Sequence, residues 1–258
     1  MYMHDNRDTS NSNSSAILPI SMIALILALI VPSPATIPPY PCCGFGTKLV
    51  FTDIDVGLPL NYCCHNFGFI DIGEEKGAYD NDDPVYLDMD EDRIISIDDI
   101  RITPFAGFFP GSKVARTDIE INAPLEPLIN WSIAYSDLNG DNTYSLQDSI
   151  YLHNRSFGNQ ILSGDIRLTI FGGFLPGTRV INTHPDANLP VINLMSINSR
   201  DVIDEVAILF YNTNGNYIKN LPKYDRTDAV YLHIIASEKE RNSETLGLVG
   251  ANDLRLSI

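Results

Sequence analysis

Apolar and polar residues alternate in short runs along most of the chain. Stretches such as DSIYLHN, DIRLTIFGGF, DEVAILFY and TDAVYLHIIA are rich in Val, Ile, Tyr, Phe and Thr and are separated by Gly, Pro, Asn and Asp. Runs of about four to eight such residues between turn-forming residues are typical of β-strands. The pattern therefore predicts an all-β fold of short antiparallel strands, packed as sandwich-like modules.

The N-terminal part of the chain is different. Residues 16–31 form an uncharged apolar run of sixteen residues, AILPISMIALILALIV, and a Pro-rich stretch follows it. Such a run is short for a membrane span and slightly long for the apolar part of a signal peptide. We expect residues 1–40 to be a helical signal or membrane-anchor segment with its linker, either cleaved or retained. The rest of the chain is then extracellular or on the cell surface.

The chain contains an internal repeat. The stretch GFFPGSKV at 107–114 recurs as GFLPGTRV at 173–180, an offset of 66 residues. In the same order, DIRIT at 99–103 recurs as DIRLT at 165–169 and as DLRLS at 253–257. Because this period is longer than that of common solenoid repeats, each unit approaches a small domain in size. The predicted units are residues 41–110, 111–176 and 177–258.

The charge of the chain is strongly negative and unevenly distributed. The net charge is −16, and residues 71–99 hold twelve acidic side chains against only Lys76 and Arg93. Nucleic acid and anionic membrane surfaces are unsuitable partners for such a chain, whereas cations are suitable ones. A solvated acidic surface without bound cations is the alternative interpretation.

The sequence DLNGDNTYSLQD, residues 137–148, has the ligand spacing of an EF-hand calcium loop. Oxygen side chains stand at positions 1, 3, 5 and 12, and position 7 offers its backbone carbonyl. The predicted ligands are Asp137, Asn139, Asp141, Thr143 and Asp148. A polar turn between two strands is the alternative, since Asn, Gly and Asp are common in turns for conformational reasons.

Two further segments carry related patterns of acidic residues. In the first repeat unit, the corresponding loop predicts a second, weaker calcium site at Asp71, Glu75 and Asp82. The sequence DMDEDRIISIDD sets acids at positions 1, 3, 5 and 12 but has an arginine in place of the glycine at position 6. Its candidate ligands are Asp88, Asp90, Asp92 and Asp99.

Pairs of acidic residues two positions apart also recur in the chain. Asp118 and Glu120 are one such pair, and Asp53 and Asp55 are another. On a strand, residues two apart point to the same face. We expect this face either to contribute to a metal site or to meet water.

The four cysteines occur as two adjacent pairs, Cys42–Cys43 and Cys63–Cys64. In an oxidising exterior we expect them to form disulfides that close the loop between the pairs, with a connectivity that the sequence leaves open. A metal site of four thiolates is the alternative, although structural zinc sites usually place two to four residues between paired cysteines.

The loop DLNGDNTYSLQD resembles the calcium loop of dockerin modules, which have Asp at position 12. The residues that follow it, SIYLHN, are strand-like, so the resemblance is confined to the loop and implies calcium binding alone. Over the longer repeat, the chain is similar to repeat-bearing secreted surface proteins of archaea. The apolar N-terminal segment ahead of a β-rich region is also similar to archaeal pilin-like subunits.

No motif of a known catalytic mechanism is present: the chain lacks HExxH, GxSxG, a Walker-type glycine loop and CxxCH. The sequence thus predicts a non-enzymatic, calcium-stabilised surface repeat protein that associates with itself or with other surface proteins. The alternative is a secreted carbohydrate-active protein, either a glycan-binding module or a glycosidase, because two well-placed carboxylates suffice for glycoside hydrolysis.

Overall fold

The computed structural model describes residues 44–50, 52–53, 56–58, 61–62, 66–196, 206–211, 227–234, 248–251 and 253–257. These residues all belong to one compact unit, residues 41–258. The apolar run at 16–31 and all four cysteines lie outside the described residues, so the expectations for them stay predictions. Within the described part of the chain, no helix is long and apolar enough to cross a membrane.

The described residues form twelve β-strands and one short 3₁₀ helix, Arg155–Phe157. In chain order, the strands are β1 (Asn61–Tyr62), β2 (Asn66–Phe69), β3 (Val85–Asp88), β4 (Ile100–Arg101), β5 (Glu126–Pro127), β6 (Trp131–Ser136), β7 (Ser149–Asn154), β8 (Ile166–Arg167), β9 (Ile192–Ser196), β10 (Val206–Tyr211), β11 (Ala229–Ile234) and β12 (Leu254–Arg255). All strand pairs are antiparallel. The prediction of an all-β fold of short antiparallel strands is confirmed.

The strands form three four-stranded sheets. Sheet I has the order β4-β3-β2-β5, sheet II the order β8-β7-β6-β9, and sheet III the order β1-β10-β11-β12. In sheet III, β1 pairs with β10, and Asn61 lies opposite Phe210. Strand β1 precedes all the strands of sheet I in the sequence. Lys48 also bridges to Leu254. Sheet III therefore joins segments near both ends of the described chain.

The alternation of residues along the central strands produces one shared core and three outer clusters. Each of β3, β7 and β11 carries a Val-Tyr-Leu or Ile-Tyr-Leu sequence in which all three side chains are buried. Because neighbouring strand residues point to opposite faces, the two aliphatic side chains enter the shared core and the tyrosine enters a separate cluster. The three tyrosines are Tyr86, Tyr151 and Tyr231.

Basic side chains connect each sheet to another one. In each case a Lys or Arg from the recurring sequence GTKL (46–49), GSKV (111–114) or GTRV (177–180) donates a hydrogen bond to a backbone carbonyl near the start of a strand in a different sheet. The donor and acceptor residues are Lys48 with Asp148, Lys113 with Asp228, and Arg179 with Asp83. Since these contacts link III to II, I to III and II to I, they close a ring of three sheets.

Close backbone packing accompanies these contacts. Gly177 has a φ of +80°, and a Cβ atom placed there would lie 2.3 Å from Pro110 Cγ and 2.7 Å from the carbonyl oxygen of Ile102. Gly46 meets Pro176 and Leu168 in the same way. Only glycine allows both this left-handed conformation and this approach of two chain segments.

We predict that Gly177→Ala destabilises the protein by about 2–4 kcal/mol, because a left-handed backbone and an overpacked contact are both unfavourable. Gly107→Ala is the matched control. Its φ is +87°, but nothing lies within 4 Å of the added Cβ, so about 1–2 kcal/mol is expected. Chemical unfolding measures both values, and equal losses in the two variants would contradict the role of the contact.

Candidate metal centre

Sheet II contains a buried histidine–aspartate pair at the end of its central strand. His153 on β7 contacts Asp165 through Nδ1 and Oδ2, 2.7 Å apart. The Asp165 carboxylate also accepts hydrogen bonds from the backbone N–H groups of Asn154 (3.0 Å) and Leu162 (2.9 Å). This carboxylate therefore fixes the loop between β7 and β8 and has a cationic partner whenever the imidazole is protonated.

Sheet III has the same arrangement at the end of β11. His233 Nδ1 lies 2.9 Å from Asp253 Oδ2, and Asp253 accepts hydrogen bonds from the backbone N–H groups of Ile234 (2.9 Å) and Gly250 (2.8 Å). The two sheets thus use one buried carboxylate and one imidazole in corresponding places.

Sheet I differs at this position. Asp99 accepts hydrogen bonds from the backbone N–H groups of Met89 (2.9 Å) and Ser96 (2.7 Å), as Asp165 and Asp253 do at the matching places. The residue that follows Tyr-Leu on β3, however, is Asp88 instead of a histidine. Sheet I therefore has a second carboxylate where the other two sheets have an imidazole.

Asp90 completes a cluster of three carboxylates with Asp88 and Asp99. One oxygen from each lies within 4.8 Å of the others. Across the described ranges, this is the one group of three His, Cys, Asp or Glu side chains that meets this distance. Asp88 and Asp99 are buried, with 1% and 0% of their surface exposed, and Asp90 is exposed. The cluster offers carboxylate oxygens, which hard cations prefer as ligands, and it is open to solvent on the Asp90 side.

The electrostatics of this cluster are unfavourable without a cation. Burial is the main cause that raises the pKa of Asp99, the backbone hydrogen bonds from Met89 and Ser96 oppose it, and the charges of Asp88 and Asp90 add to it, so that the pKa is about 8. Burial also raises the pKa of Asp88, and the Asp90 carboxyl group adds to the effect. At neutral pH the folded cluster either keeps a proton or binds a cation.

The pKa of His153 is shifted in the opposite sense to that of a simply buried imidazole. Burial lowers it, but the hydrogen bond and the charge of Asp165 outweigh burial, so the pKa ends above its ordinary value. In sheet II, the buried aspartate therefore lies beside a group that can carry the opposite charge. In sheet I, the buried aspartate lies beside carboxylates, which carry the same charge.

The backbone of the loop after β3 wraps around Asp88. Its carboxylate accepts hydrogen bonds from the N–H groups of Glu91 (2.8 Å) and Arg93 (3.0 Å), and both residues have left-handed φ values, 60° and 62°. The loop therefore keeps its turn without the glycine expected at position 6. Asp92 is exposed and accepts from Ile94 N (2.8 Å). Of the four predicted ligands, three come together and Asp92 does not join them.

The loop at 137–148 has the same backbone pattern but no such cluster. Asp137 accepts hydrogen bonds from Gly140 N and Asn142 N, both at 2.7 Å, and Asp148 accepts from Leu138 N (2.9 Å) and Ser145 N (2.7 Å). The predicted ligand carboxylates thus order the backbone of the loop.

The other predicted ligands of this loop bond to one another. Asn139 donates its side-chain N–H to Asp141 (2.8 Å), and Asp141 accepts from Thr143 N (2.7 Å). Lys48 Nζ lies at the end of the loop, where the carbonyls of Ser145 and Asp148 accept its hydrogen bonds. A lysine ammonium therefore already supplies positive charge at the end of the loop.

The predicted weaker site in the first unit also differs from expectation. Asp71 forms an ion pair with Lys76 (3.2 Å), and its other oxygen accepts from Gly77 N (2.7 Å). The acid that closes the loop is the buried Asp83, which accepts hydrogen bonds from the N–H groups of Ile72, Gly73 and Asp80, each at 2.9 Å. Glu75 and Asp82 are exposed. Asp83 therefore takes the place that the sequence interpretation gave to Asp82.

The paired acids at 118 and 120 bind a buried arginine. Arg101, which is fully buried, donates from Nη2 to Asp118 (2.6 Å) and from Nε to Glu120 (2.7 Å). In sheet II, Arg167 donates to Asp186 from Nε and Nη2, each at 2.7 Å. The expectation of a metal-binding or solvent-facing pair was wrong for Asp118 and Glu120. The recurring Arg of the D-[IL]-R sequence was the signal that could have identified this role.

Comparison of the chain with protein-family models, with curated proteins and with solved structures finds no match.

Proposed function

We propose that this protein is a non-enzymatic, calcium-stabilised surface repeat protein whose cation binds at Asp88, Asp90 and Asp99. The proposal rests on one difference between corresponding positions of the three sheets: sheet I has a carboxylate where sheets II and III have an imidazole. Where His153 and His233 accompany a buried aspartate, Asp88 accompanies Asp99. A divalent cation at this position would supply the positive charge that an imidazole supplies in sheets II and III when it is protonated.

Calcium suits this site better than other common cations. It prefers carboxylate, carbonyl and water oxygens, accepts six to eight of them and tolerates irregular geometry. The cluster offers three carboxylates, one of them exposed to solvent, in a loop with EF-hand spacing at positions 1, 3 and 12. Water and backbone carbonyls would complete the coordination, as they do in other calcium sites.

The use of the buried charged residues supports a structural role. Arg101 and Arg167 are paired with carboxylates, and His153 contacts Asp165 through one nitrogen and the carbonyl oxygen of Gly158 (2.9 Å) through the other. Groups bound in this way hold loops and sheets together. They are poorly placed to transfer protons to a substrate.

The biological setting of the proposal comes from the sequence. The apolar run at 16–31 would be the helical signal or anchor ahead of the β-rich region, and the paired cysteines suit an oxidising exterior. Each sheet would consist mainly of one of the predicted repeat units, 41–110, 111–176 and 177–258, and would take one strand, β5, β9 or β1, from another unit. We propose that the protein is a subunit of an extracellular layer, filament or adhesive assembly, with copies of itself or other surface proteins as partners.

Thermal unfolding of the purified protein tests the calcium site. Without metal, the unfolded chain has ionised Asp99 above pH 4 while the folded state keeps its proton up to about pH 8, so stability should fall as the pH rises between these values. Calcium requires the ionised carboxylates. The rise in the unfolding midpoint on adding Ca²⁺ should therefore be larger near pH ~8 than near pH ~5.

At a free Ca²⁺ concentration about a hundred times the dissociation constant, binding to the folded state alone adds about 2.7 kcal/mol to the free energy of unfolding. An unchanged midpoint at both pH values, in chelator and in millimolar Ca²⁺, would contradict the proposal.

A further inference from the structure

A cavity of about 290 Å³ lies between a loop of sheet I and the strand ends of sheet II. Residues from the loop 75–81 form one side, and Trp131, Asn154 and residues 162–165 form the other. The cavity is separate from the carboxylate cluster at Asp88, since none of its lining residues belongs to that cluster.

Two aromatic side chains border the cavity: the half-buried Tyr79, and Trp131, which belongs to the shared core and is only 3% exposed. The rings of Tyr79 and Trp131 meet edge to face, with centroids 4.9 Å apart and an interplanar angle of 83°. Tyr79 also packs edge to face on Phe69, and its hydroxyl accepts a hydrogen bond from Arg179 Nε (2.8 Å). These contacts hold the wall in place before any ligand arrives.

The remaining wall is polar and carries no positive charge. Acidic, amide and hydroxyl side chains line it, and none of the ten described lining residues is basic. These polar side chains include Glu75, Asp80, Asn81, Asn154 and Ser163. The wall therefore disfavours phosphate and carboxylate ligands, because nothing in it compensates a negative charge.

Both hydrogen-bond donors and acceptors are present on this wall. The carboxylates of Glu75 and Asp80 accept when ionised, whereas amide and hydroxyl groups can also donate. The side-chain oxygen of Asn154 already accepts from Ser156 N (3.0 Å), so the polar atom that this side chain has left for a ligand is its Nδ2 donor. A hydroxyl group matches such a wall because it donates and accepts, while an ammonium group only donates.

We propose that this cavity binds one ring of a neutral, hydroxyl-rich ligand, namely a pyranose unit of a glycan. The volume lies at the lower end of the range for small-molecule sites, which suits a single ring. The ring's C–H groups contact the exposed part of Tyr79 beside the edge of Trp131, and its hydroxyls bond to the amide and carboxylate side chains. This binding site goes beyond the structural function proposed above and does not depend on the cation at Asp88.

The single tryptophan of the chain makes the site directly observable. Glucose, galactose, mannose and N-acetylglucosamine would each be titrated into the protein in Ca²⁺ while the fluorescence of Trp131 is followed. We expect a saturable change with at least one of these sugars. Asn81→Ala and Ser163→Ala should each weaken that binding by about tenfold, as expected for the loss of a hydrogen bond.

Gln147→Ala is the matched control, because it changes an exposed residue in the corresponding loop of sheet II. It should leave the sugar affinity unchanged. The absence of a saturable response to all four sugars would overturn the proposal. So would a response to methylammonium alone, which would identify a cation site, or equal weakening in all three variants, which would place the sugar elsewhere.

Discussion

Arg167→Met should lower the free energy of unfolding by about 3–5 kcal/mol, because it leaves a buried carboxylate without its charged partner. Arg167 and Asp186 are both fully buried and share two hydrogen bonds of 2.7 Å. Methionine fills a similar space without charge, so the loss reports the ion pair, together with the hydrogen bonds of Arg167 to Thr178 Oγ1 and the Arg179 carbonyl, more than the packing. Urea unfolding of the two proteins measures the difference.

The double variant Arg167→Met with Asp186→Leu provides the control. Replacing a whole buried ion pair with apolar side chains is often close to neutral. We therefore expect the double variant to be more stable than Arg167→Met, with part of the loss remaining because the Tyr151 hydroxyl loses its contact with Asp186 (3.1 Å). A double variant that is less stable than the single one would show that Asp186 stabilises the fold without Arg167, and would contradict the expected cost of an unpaired buried carboxylate.

Asp88→His should make the protein independent of calcium. The change gives sheet I the imidazole–carboxylate pair that sheets II and III already have, beside an Asp99 that keeps its backbone hydrogen bonds. In chelator, the gain from the imidazole–carboxylate pair is opposed by the loss of the hydrogen bonds that the Asp88 carboxylate accepts from Glu91 N and Arg93 N. The expected result is therefore that the stability of the variant no longer changes on adding calcium, whereas the unchanged protein gains about 2.7 kcal/mol at a hundred times the dissociation constant. Thermal unfolding in chelator and in Ca²⁺ measures both effects.

Asp92→Asn is the control for this prediction. Asp92 belongs to the same acidic loop but lies outside the cluster of three carboxylates, and asparagine retains an oxygen that can accept from Ile94 N. The stabilisation by calcium should therefore persist in this variant. Loss of the calcium effect in Asp92→Asn, with retention in Asp88→His, would place the cation elsewhere in the loop.

The strands could be predicted from the sequence because the alternation of residue types along each strand reflects which side chains are buried. The Val-Tyr-Leu and Ile-Tyr-Leu sequences alternate between two buried faces, and period-two alternation predicts that arrangement directly. The pairing of β1 with β10 could not be predicted in this way. It joins residues about 150 positions apart, and nothing in the local pattern of Asn61–Tyr62 specifies so distant a partner.

The proposed calcium site shows a similar limit. Ligand spacing alone favours residues 137–148, where glycine and asparagine suit the tight turn, over residues 88–99, where Arg93 occupies the glycine position. In the structure, Glu91 and Arg93 adopt the left-handed conformation all the same, and the hydrogen bonds to Asp88 hold them there. The feature that distinguishes the two segments is the side chain that lies beside the buried aspartate in the sheet. The spacing of residues along the sequence does not show this contact.

A calorimetric titration with Ca²⁺ near neutral pH, performed on the unchanged protein, Asp88→His and Asp141→Ala, distinguishes the carboxylate cluster from the loop at 137–148 as the place where calcium binds. The proposed site predicts that binding at the carboxylate cluster is lost in Asp88→His and kept at the same affinity in Asp141→Ala, because Asp141 lies outside that cluster. Unchanged binding in Asp88→His together with its loss in Asp141→Ala would contradict the account and place calcium in the loop at 137–148.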